Sequence, residues 1–225
     1  MGINEGTIAS NPIFNNEVRG PGTQLSYKTI KRTLDIVIAT IGLFCLAPFA
    51  FLLGLAIKFE SSGPVFFSHS RVGLLGKKFK CWKFRSMRID ADTEKSALIA
   101  QNEMEGGVLF KMRNDPRVSK LGRVLRALSI DELPQLWNVL QGDMSLVGPR
   151  PPVPEEVMQY SDYEMRRLNV VPGITCIWQV SGRSEIPFSE QVRMDLTYIS
   201  KQSIWLDLKL LILTVPAVIS CKGAY

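Results

Sequence analysis

Two adjacent carboxylates are the side chains of this sequence with the clearest potential for chemistry. Asp131 and Glu132 come shortly before Pro134, and proline favours the first turn of an α-helix. Backbone N–H groups and the helix dipole favour negative charge there, so both carboxylates should be ionised and phosphate should be attracted. An ionised aspartate beside a cation-binding carboxylate is suited to nucleophilic attack on phosphorus. The alternative is structural, because Ser129 and Glu132 also fit a capping box.

Basic residues near this acidic pair indicate an anionic substrate. Arg126 precedes Asp131 by five residues, and Arg150 lies in the sequence GPRPP, where prolines stiffen the backbone. Arginine can bind phosphate through two hydrogen bonds from such a position. Lys83 and Arg85, in the sequence WKFRSM, reach the same cleft if their segment folds against it. Each residue alone is typical of a solvated surface, but the combination predicts a phosphate-handling site.

The composition argues against several other kinds of site. The 225-residue chain has a single histidine, His69, which leaves no histidine-based metal cluster and makes a Ser/His/Asp arrangement improbable. Its four cysteines form no CxxC pair, so neither a zinc site nor a disulfide framework is indicated, and a reducing, cytosol-facing location fits. The net charge of +6 points to an anionic partner, which is a phosphate-bearing substrate, an anionic membrane surface or nucleic acid.

A long uncharged run is the element that would hold such a site at a membrane. It extends from Ile36 to Ile57, and as a helix it would be roughly 33 Å long, enough to cross a hydrocarbon core of about 30 Å. Pro48 in its middle predicts a kink. Basic residues flank both ends, so the positive-inside rule gives no clear orientation. A bent helix that enters and leaves by the same face satisfies both observations, and a simple membrane-spanning anchor is the alternative.

The rest of the chain predicts a small α+β domain that is mainly helical. Residues 1–26 lack apolar periodicity and predict a disordered tail, residues 27–59 the membrane helix, and residues 60–225 the catalytic domain. The sequences VFF and FKCWKF predict a short β-hairpin. Amphipathic patterns predict helices over residues 91–105, 118–127, 133–141, 155–168 and 188–200. The last segment, IWLDLKLLILTVPAVI, predicts an interfacial or core helix because Asp207, Lys209 and Pro216 interrupt it.

Two further patterns are open to a binding function. Basic residues alternate with aromatics in KKFKCWKFR, as they do in nucleic-acid-binding surfaces. Because the apolar run lies only about twenty residues upstream, proximity to lipid head groups is favoured over nucleic acid. Trp178 and Gln179, in the sequence WQVSGR, are candidates for substrate contact, although a tryptophan in an apolar run is more typical of a core.

The ordered motifs of this chain resemble the bacterial sugar transferase family, specifically the monotopic polyprenol-phosphate phosphoglycosyl transferases that initiate exopolysaccharide synthesis. The matches extend from about Tyr27 to Tyr225. They are Pro48 in the apolar run, GPVFFSHSRVG, KFRSM, DPRVSKLGRVLR, SIDELPQLWNVLQGDMSLVGPRP, VPGIT, WQVSGR and the terminal GAY. The chain departs from the family at Ala47, where serine is frequent, and at Cys176, where glycine is expected.

The resemblance implies a re-entrant, proline-broken helix and a catalytic domain on the cytoplasmic face of the bacterial inner membrane. It also implies an enzyme that transfers a sugar 1-phosphate from a UDP-sugar to undecaprenyl phosphate. The aspartate that matches Asp131 would attack the β-phosphorus, release UMP and form an aspartyl-phosphosugar intermediate. Undecaprenyl phosphate would then accept the sugar phosphate.

The family's site residues carry over to matching positions of this chain. Asp131 and Glu132 would hold Mg²⁺, with Glu132 acting as metal ligand or base. Arg126 and Arg150 would bind phosphate, and the donor site would be supported by Lys83 and Arg85.

The expected partners are therefore a UDP-sugar, undecaprenyl phosphate and membrane lipids, without nucleic acid. The carboxy-terminal pattern favours a hexose phosphate such as glucose or galactose phosphate, and a homo-oligomer is left open. The alternative from a different class is a non-catalytic, membrane-anchored scaffold whose basic face binds anionic lipid or nucleic acid.

Overall fold

The computed structural model describes residues 25–89, 91–98, 102–103, 112 and 114–223, and its architecture is α+β and mainly helical, as predicted. The predicted tail lies outside the described residues except for its last two positions. The helices are α1 (Leu25–Glu60), α2 (Ala91–Leu98), α3 (Lys120–Ala127), α4 (Gln135–Gln141), α5 (Pro154–Val157), α6 (Asp162–Met165), α7 (Ile177–Ser181), α8 (Phe188–Ser200) and α9 (Ile204–Ile219). The strands are β1 (Phe66–Val72), β2 (Lys78–Phe84), β3 (Ser145–Val147) and β4 (Gly173–Thr175).

Helix α1 is a continuous α-helix of 36 residues that includes Pro48. The proline therefore does not break the helix, because it removes only one backbone donor and the turns on either side keep their own hydrogen bonds. Among the described residues, α1 is the one helix long and apolar enough to cross a membrane. Its outer face carries Phe44 and Phe59, which are 82% and 88% exposed.

Both halves of α1 pack against the rest of the described chain. In the first half, Ala39 is fully buried and the Asp35 carboxylate accepts a hydrogen bond of 2.9 Å from the backbone N–H of Leu146. In the second half, Ile57 is buried in a cluster with Phe84. The helix is thus attached to one domain near both of its ends.

A buried polar network joins the start of α1 to α8 and α9. Lys31 Nζ donates to Asp207 Oδ2 and to the carbonyl of Val147, each at 2.9 Å. The hydroxyls of Tyr198 and Tyr27 donate to the same Asp207 carboxylate at 2.7 and 3.0 Å. Asp207, which interrupts the apolar pattern of the last segment, therefore pairs with α1.

The predicted hairpin is present as the antiparallel pair β1 and β2, with Phe66 opposite Phe84 and Val72 opposite Lys78. The aromatic side chains of Phe79 and Phe84 are buried. They belong to the core, so the strand does not present them as a stacking surface for nucleic-acid bases.

A second, parallel pair of strands was not predicted. Strand β3 pairs with β4, with Ser145 opposite Gly173 and Val147 opposite Thr175. A Cβ atom at Gly173 would lie only 2.0 Å from the backbone nitrogen of Gly148. The close approach needs glycine, and it places the GPRPP segment beside the VPGIT segment.

The remaining helix predictions had mixed outcomes. Helices close to residues 118–127 and 188–200 are present as α3 and α8, and Gly142 ends α4 with a φ of 89°. The single helix over residues 155–168 is wrong. The chain forms α5, α6 and a 3₁₀ turn there, because the Ser161 backbone N–H and hydroxyl bond to Glu164 and begin a new helix. Helix α2 ends at Leu98, and most of its predicted continuation lies outside the described residues.

Candidate active site

The acidic pair lies in a 3₁₀ turn, Ile130–Glu132, directly before α4. Pro134 is the capping residue of α4, so the pair is at the start of that helix, as predicted. Ser129 has a left-handed backbone with a φ of 54°, and its hydroxyl makes no capping hydrogen bond. The capping-box alternative is therefore wrong, and the side chain of Glu132 is bonded elsewhere.

Glu132 is held by two cations. Its Oε1 atom accepts hydrogen bonds from Lys83 Nζ at 2.5 Å and from Arg150 Nη1 at 3.1 Å. Burial raises the pKa of Glu132, but the charges and hydrogen bonds of Lys83 and Arg150 outweigh burial and hold that pKa well below its usual range. The glutamate is consequently a fixed anion that keeps both cations in place.

Asp131 is in a different electrostatic environment from its neighbour. The residue is 5% exposed, and Lys83 Nζ lies 3.8 Å from its Oδ2 atom. Burial raises the pKa of Asp131, the charge of Lys83 opposes that rise, and the charge of Glu132 adds to it. Asp131 is therefore a buried carboxylate with a looser cation contact, which is suited to a reacting group.

A buried amide fixes Lys83 relative to the acidic pair. Asn138, on α4, is fully buried; its Oδ1 accepts from the backbone N–H of Trp82 at 3.0 Å, and its Nδ2 donates to the Lys80 carbonyl at 2.7 Å. Helix α4 is thereby attached to strand β2. The strand carries Lys83, and the turn before the helix carries Asp131 and Glu132.

Arg126 reaches the site from α3, which packs closely on the segment after β2. A Cβ atom at Gly122 would lie 1.9 Å from the Ser86 carbonyl oxygen, so only glycine allows this approach. Arg126 Nε donates to Ser86 Oγ at 3.0 Å. Burial lowers the pKa of Arg126 and the charge of Asp131 opposes this, but an arginine stays protonated in proteins.

The loop after β3 presents Arg150. The carbonyl oxygen of the next residue, Pro151, accepts a hydrogen bond of 2.9 Å from Arg71 Nη1. Strand β3, which precedes the loop, is paired with β4. The charge of Glu132 raises the pKa of Arg150. Arg71 was not predicted as a site residue, although it belongs to the GPVFFSHSRVG motif.

Arg85 does not take part in the site, contrary to the prediction. Its guanidinium donates to the carbonyls of Ser62, Ser61 and Ile57 at 2.7, 2.6 and 3.2 Å. Ile57 lies in the last turn of α1, where its carbonyl also accepts from the Ser61 backbone N–H at 3.2 Å, and Ser61 and Ser62 directly follow the helix. Arg85 therefore caps α1, and the donor-site role assigned to it is wrong.

These side chains line a cavity of about 450 Å³ that has a cationic side and an apolar side. The cationic side contains the carboxylates of Asp131 and Glu132 and five positively charged side chains. These are Arg71, Lys83, Arg126, Arg150 and Arg183. Trp178 and Gln179 also line the cavity, as the sequence suggested. Arg183 was missed, although it belongs to the same WQVSGR motif; its Nη2 lies 3.3 Å from Ser129 Oγ.

The apolar side comes from α4, β3, β4 and α9. It consists of Leu133, Leu136, Leu146, Ile174, Leu211, Ala217 and Val218. The cavity can therefore accept a ligand that is anionic at one end and apolar at the other.

The acidic pair fits a magnesium ion that is shared with a substrate. Among the described residues, no group of three or more His, Cys, Asp or Glu side chains is placed to hold a metal by itself. Mg²⁺ characteristically uses one or two carboxylates together with substrate phosphates. Asp131, whose cation contact is the looser one, and Glu132 supply such a donor set beside the cationic side of the cavity.

Comparison with known proteins gives a consistent result. Residues 26–221 match the family model described as bacterial sugar transferase. Galactosyl transferase CpsE of Streptococcus agalactiae serotype III (strain NEM316) is 47% identical over 200 residues, which cover 88% of this chain and 44% of CpsE. The exopolysaccharide production protein ExoY of Rhizobium meliloti (strain 1021) is 38% identical over 220 residues, which cover 96% of this chain and 97% of ExoY.

A third relative is the UDP-glucose:undecaprenyl-phosphate glucose-1-phosphate transferase of Escherichia coli (strain K12). It is 41% identical over 206 residues, which cover 88% of this chain and 42% of that protein. The chain thus spans less than half the length of this relative and of CpsE, and nearly all of ExoY. With a family match over almost its whole length, the chain belongs to the bacterial sugar transferase family.

Proposed function

We propose that this protein transfers a sugar 1-phosphate from a UDP-sugar to undecaprenyl phosphate, releases UMP, and thereby starts the assembly of a polysaccharide. The observation that carries the proposal is the position of Asp131, a buried carboxylate in a cavity with five cationic side chains and an apolar wall. The name of the Escherichia coli relative supports the class of reaction, and the name of ExoY supports a role in exopolysaccharide production.

The chemistry proceeds in two displacements at one phosphorus atom. An oxygen of Asp131 forms a bond to the β-phosphorus, and the bond from that phosphorus to the oxygen bridging to the α-phosphate breaks. UMP leaves with the electron pair, and an aspartyl-phosphosugar remains. An oxygen of the lipid phosphate then bonds to the same phosphorus, the bond to Asp131 breaks, and the carboxylate is regenerated. Covalent catalysis divides a difficult transfer into two easier ones.

The cationic side chains bind and orient the diphosphate. Arg126 and Arg150, which line the cavity, are the residues proposed to bind phosphate. Lys83 contacts both carboxylates, and it is proposed to stabilise negative charge in both displacements. Glu132 holds Lys83 and Arg150 in position through its two hydrogen bonds. Mg²⁺, when bound by Asp131 and Glu132, supplies positive charge that neutralises the diphosphate and the departing UMP.

We also propose that α1 is re-entrant, with the catalytic domain on the cytoplasmic face of the bacterial inner membrane. Support comes from the attachment of both ends of α1 to the same domain. Lys31 pairs with Asp207 near the start, and Arg85 caps the carbonyls at the end. A straight span would place these two ends on opposite sides of the bilayer.

The proposed sugar is a hexose, with glucose and galactose as the first donors to test. The relatives CpsE and the Escherichia coli transferase are named for galactose and glucose respectively. The scaffold alternative finds less support, because a scaffold does not need a buried carboxylate pair that shares a lysine inside a cationic cavity.

The test measures UMP release by the full chain in nanodiscs with undecaprenyl phosphate, Mg²⁺ and UDP-glucose, UDP-galactose or another UDP-sugar. We expect Asp131→Asn to lower turnover by at least roughly a thousandfold, since it removes the nucleophile. Chelation of Mg²⁺ should stop the wild-type reaction, and added Mg²⁺ should restore it.

The matched control is Asp162→Asn, which makes the same chemical change at an exposed carboxylate on α6 and should retain wild-type turnover. Full activity of Asp131→Asn would remove Asp131 as the nucleophile. An absence of UMP with every donor, together with salt-sensitive nucleic-acid binding, would favour the scaffold.

A further inference from the structure

Helix α9 carries two neighbouring apolar stripes that face different surroundings. Leu211, Thr214 and Val218, spaced at i, i+3 and i+7, line the catalytic cavity. A second stripe consists of Trp205, Ile212, Val215 and Ile219, whose side chains are between 59% and 79% exposed. Three members of this exposed stripe directly follow a residue of the cavity stripe, so the stripes are adjacent around the helix.

The cavity stripe is apolar although it contains a threonine. Thr214 Oγ1 donates to the Leu210 carbonyl at 2.7 Å and lies 2.8 Å from Thr175 Oγ1. The hydroxyl is thus engaged inside the protein. Ala217 also lines the cavity from this helix.

Two leucines outside α9, the Leu128–Leu133 rim, also contribute apolar surface to the cavity. Leu128 and Leu133 line the cavity, and each is more than a third exposed. The cavity is therefore lined by apolar side chains from α9 and from the Leu128–Leu133 rim, together with the cations Arg126 and Arg183.

We infer that α9 forms the wall of the acceptor site, and that the hydrocarbon chain of the polyisoprenyl phosphate enters between α9 and the Leu128–Leu133 rim. This inference rests on the proposed function and assigns its two substrates to different sides of one cavity. The sugar nucleotide is polar over most of its surface and carries no hydrocarbon chain. The lipid phosphate is the substrate with an anionic head and an apolar chain, and it matches the cavity in both respects.

The exposed stripe continues the same apolar surface outward from the cavity. A hydrocarbon chain that leaves the cavity past Leu211 or Val218 would reach Ile212, Val215 and Ile219, and none of these exposed residues is charged. The acceptor can therefore keep its chain against apolar side chains while its phosphate reaches the site.

The experiment separates the two displacements. Full-length wild type and Ala217→Leu are mixed with UDP-sugar and Mg²⁺ without acceptor, and UMP formed in the first turnover is counted per enzyme. Steady-state turnover is then measured against undecaprenyl phosphate and against a short-chain polyprenyl phosphate. We expect the added side chain to raise the KM for the long-chain acceptor about tenfold, comparable to lost burial of about two methylene groups. The first-turnover UMP and the KM for the short-chain acceptor should change less than twofold.

Ala50→Leu is the matched control. Ala50 lines a separate apolar groove of about 360 Å³ between α1 and the hairpin, together with Trp82 and Trp137. Leu211→Gln, which makes the cavity stripe polar without adding much bulk, serves as a second test variant if Ala217→Leu folds poorly.

The outcomes are distinct. A selective rise in the long-chain KM for Ala217→Leu or Leu211→Gln supports the acceptor wall. The same selective effect in Ala50→Leu, with neither cavity variant affected, would overturn the inference and place the hydrocarbon chain of the acceptor in the groove that Ala50 lines. Equal losses of the first and second displacement in both cavity variants would also contradict it. A wild type that releases no UMP would instead remove the proposed function.

Discussion

Lys83 contacts both carboxylates of the acidic pair, one buried and one partly buried, and this makes it the most consequential single cation of the site. Its ammonium group lies 2.5 Å from Glu132 and 3.8 Å from Asp131. Arg150 supports Glu132 alone, at 3.1 Å. Removal of Lys83 would therefore leave Asp131 and Glu132 close together with less positive charge between them.

We predict that Lys83→Met lowers the turnover number for UMP release by at least tenfold, since a tenfold loss needs only about 1.4 kcal/mol of transition-state stabilisation. UMP release and thermal unfolding are measured on the same preparation. Lys80→Met, which changes an exposed lysine on the same strand, should behave as wild type. Equal activity of the two variants would show that Lys83 has no role in the transfer.

The limits of prediction from sequence are clear for Lys83 and Arg85. The two residues are two positions apart, so in one strand they would share a face. Strand β2 ends at Phe84, and the chain then turns Arg85 toward the end of α1. The WKFRSM motif identified both cations but not the end of the strand. Arg71 could not have been predicted as part of the cavity, because the hairpin brings it there from far away in the sequence.

At the scale of elements, the ends of helices are fixed by side chains from other elements. Arg85 caps α1 with three hydrogen bonds, and Glu60, the last residue of α1, accepts from Ser119 Oγ and from the backbone N–H of Leu121 at the start of α3. Helices α1 and α3 thus stabilise each other's termini.

Arg85→Met should destabilise the protein without impairing catalysis by the molecules that stay folded. The substitution removes three hydrogen bonds from the guanidinium to backbone carbonyls near the end of α1, at about 3 kcal/mol in total, which corresponds to a fall in Tm of roughly 6–12 °C. Thermal unfolding in detergent and UMP release at low temperature are the measurements. Arg85→Lys should recover part of the stability. A loss of turnover at unchanged Tm would indicate that Arg85 supports the donor site after all.

The segment before α3 depends on a second buried ion pair, and this pair makes stability depend on pH. Asp115 accepts from Arg117 Nη2 at 2.6 Å, and Arg117 Nη1 donates to the Ala91 carbonyl at the start of α2. Burial raises the pKa of Asp115, but the hydrogen bonds and charge of Arg117 outweigh burial and lower it below its ordinary value. The carboxylate therefore stabilises the fold above the ordinary pKa and loses this effect as pH falls through the lowered one.

We predict that Asp115→Asn lowers Tm at pH 7 by roughly 4–8 °C, from about 2 kcal/mol, and that the difference from wild type shrinks below a pH of about 4. Thermal unfolding across a pH series tests this, with exposed Asp162→Asn as the control. A difference in Tm that stays constant down to low pH would show that ionisation of Asp115 is not involved.

Element boundaries were predictable where a local signal exists, as at Gly142, which ends α4 with a left-handed backbone. The pairing of β3 with β4 was not predictable, because three-residue strands are too short to show a recognisable pattern of apolar and polar residues. Their pairing depends on close backbone approach between Gly148 and Gly173, which are remote in sequence. The division of residues 155–168 was signalled by Ser161 and Glu164, a capping box inside the predicted helix.

For the whole molecule, the attachment of α1 near both ends to one domain implies that both ends lie on the same side of the membrane. We predict that single cysteines placed at Ser26 and Ser62, exposed positions near the two ends of α1, react with a membrane-impermeant maleimide from the same side. Both should label in inverted vesicles and neither in intact cells. The wild type, with its own four cysteines, gives the background. Labelling of one position from each side would establish a spanning helix and contradict the re-entrant arrangement.

The pairing of Lys31 with Asp207 also sets an order of events during synthesis. The two residues are 176 positions apart, so at about 5–20 residues per second Lys31 is added to the chain roughly 9–35 s before Asp207. During that interval α1 is made and available to the membrane while its polar residues lack the groups that later bind them. A chain that stops before α9 would keep Lys31 without its carboxylate partner, and the ammonium group would then have only uncharged acceptors from α8 and β3, such as the Val147 carbonyl.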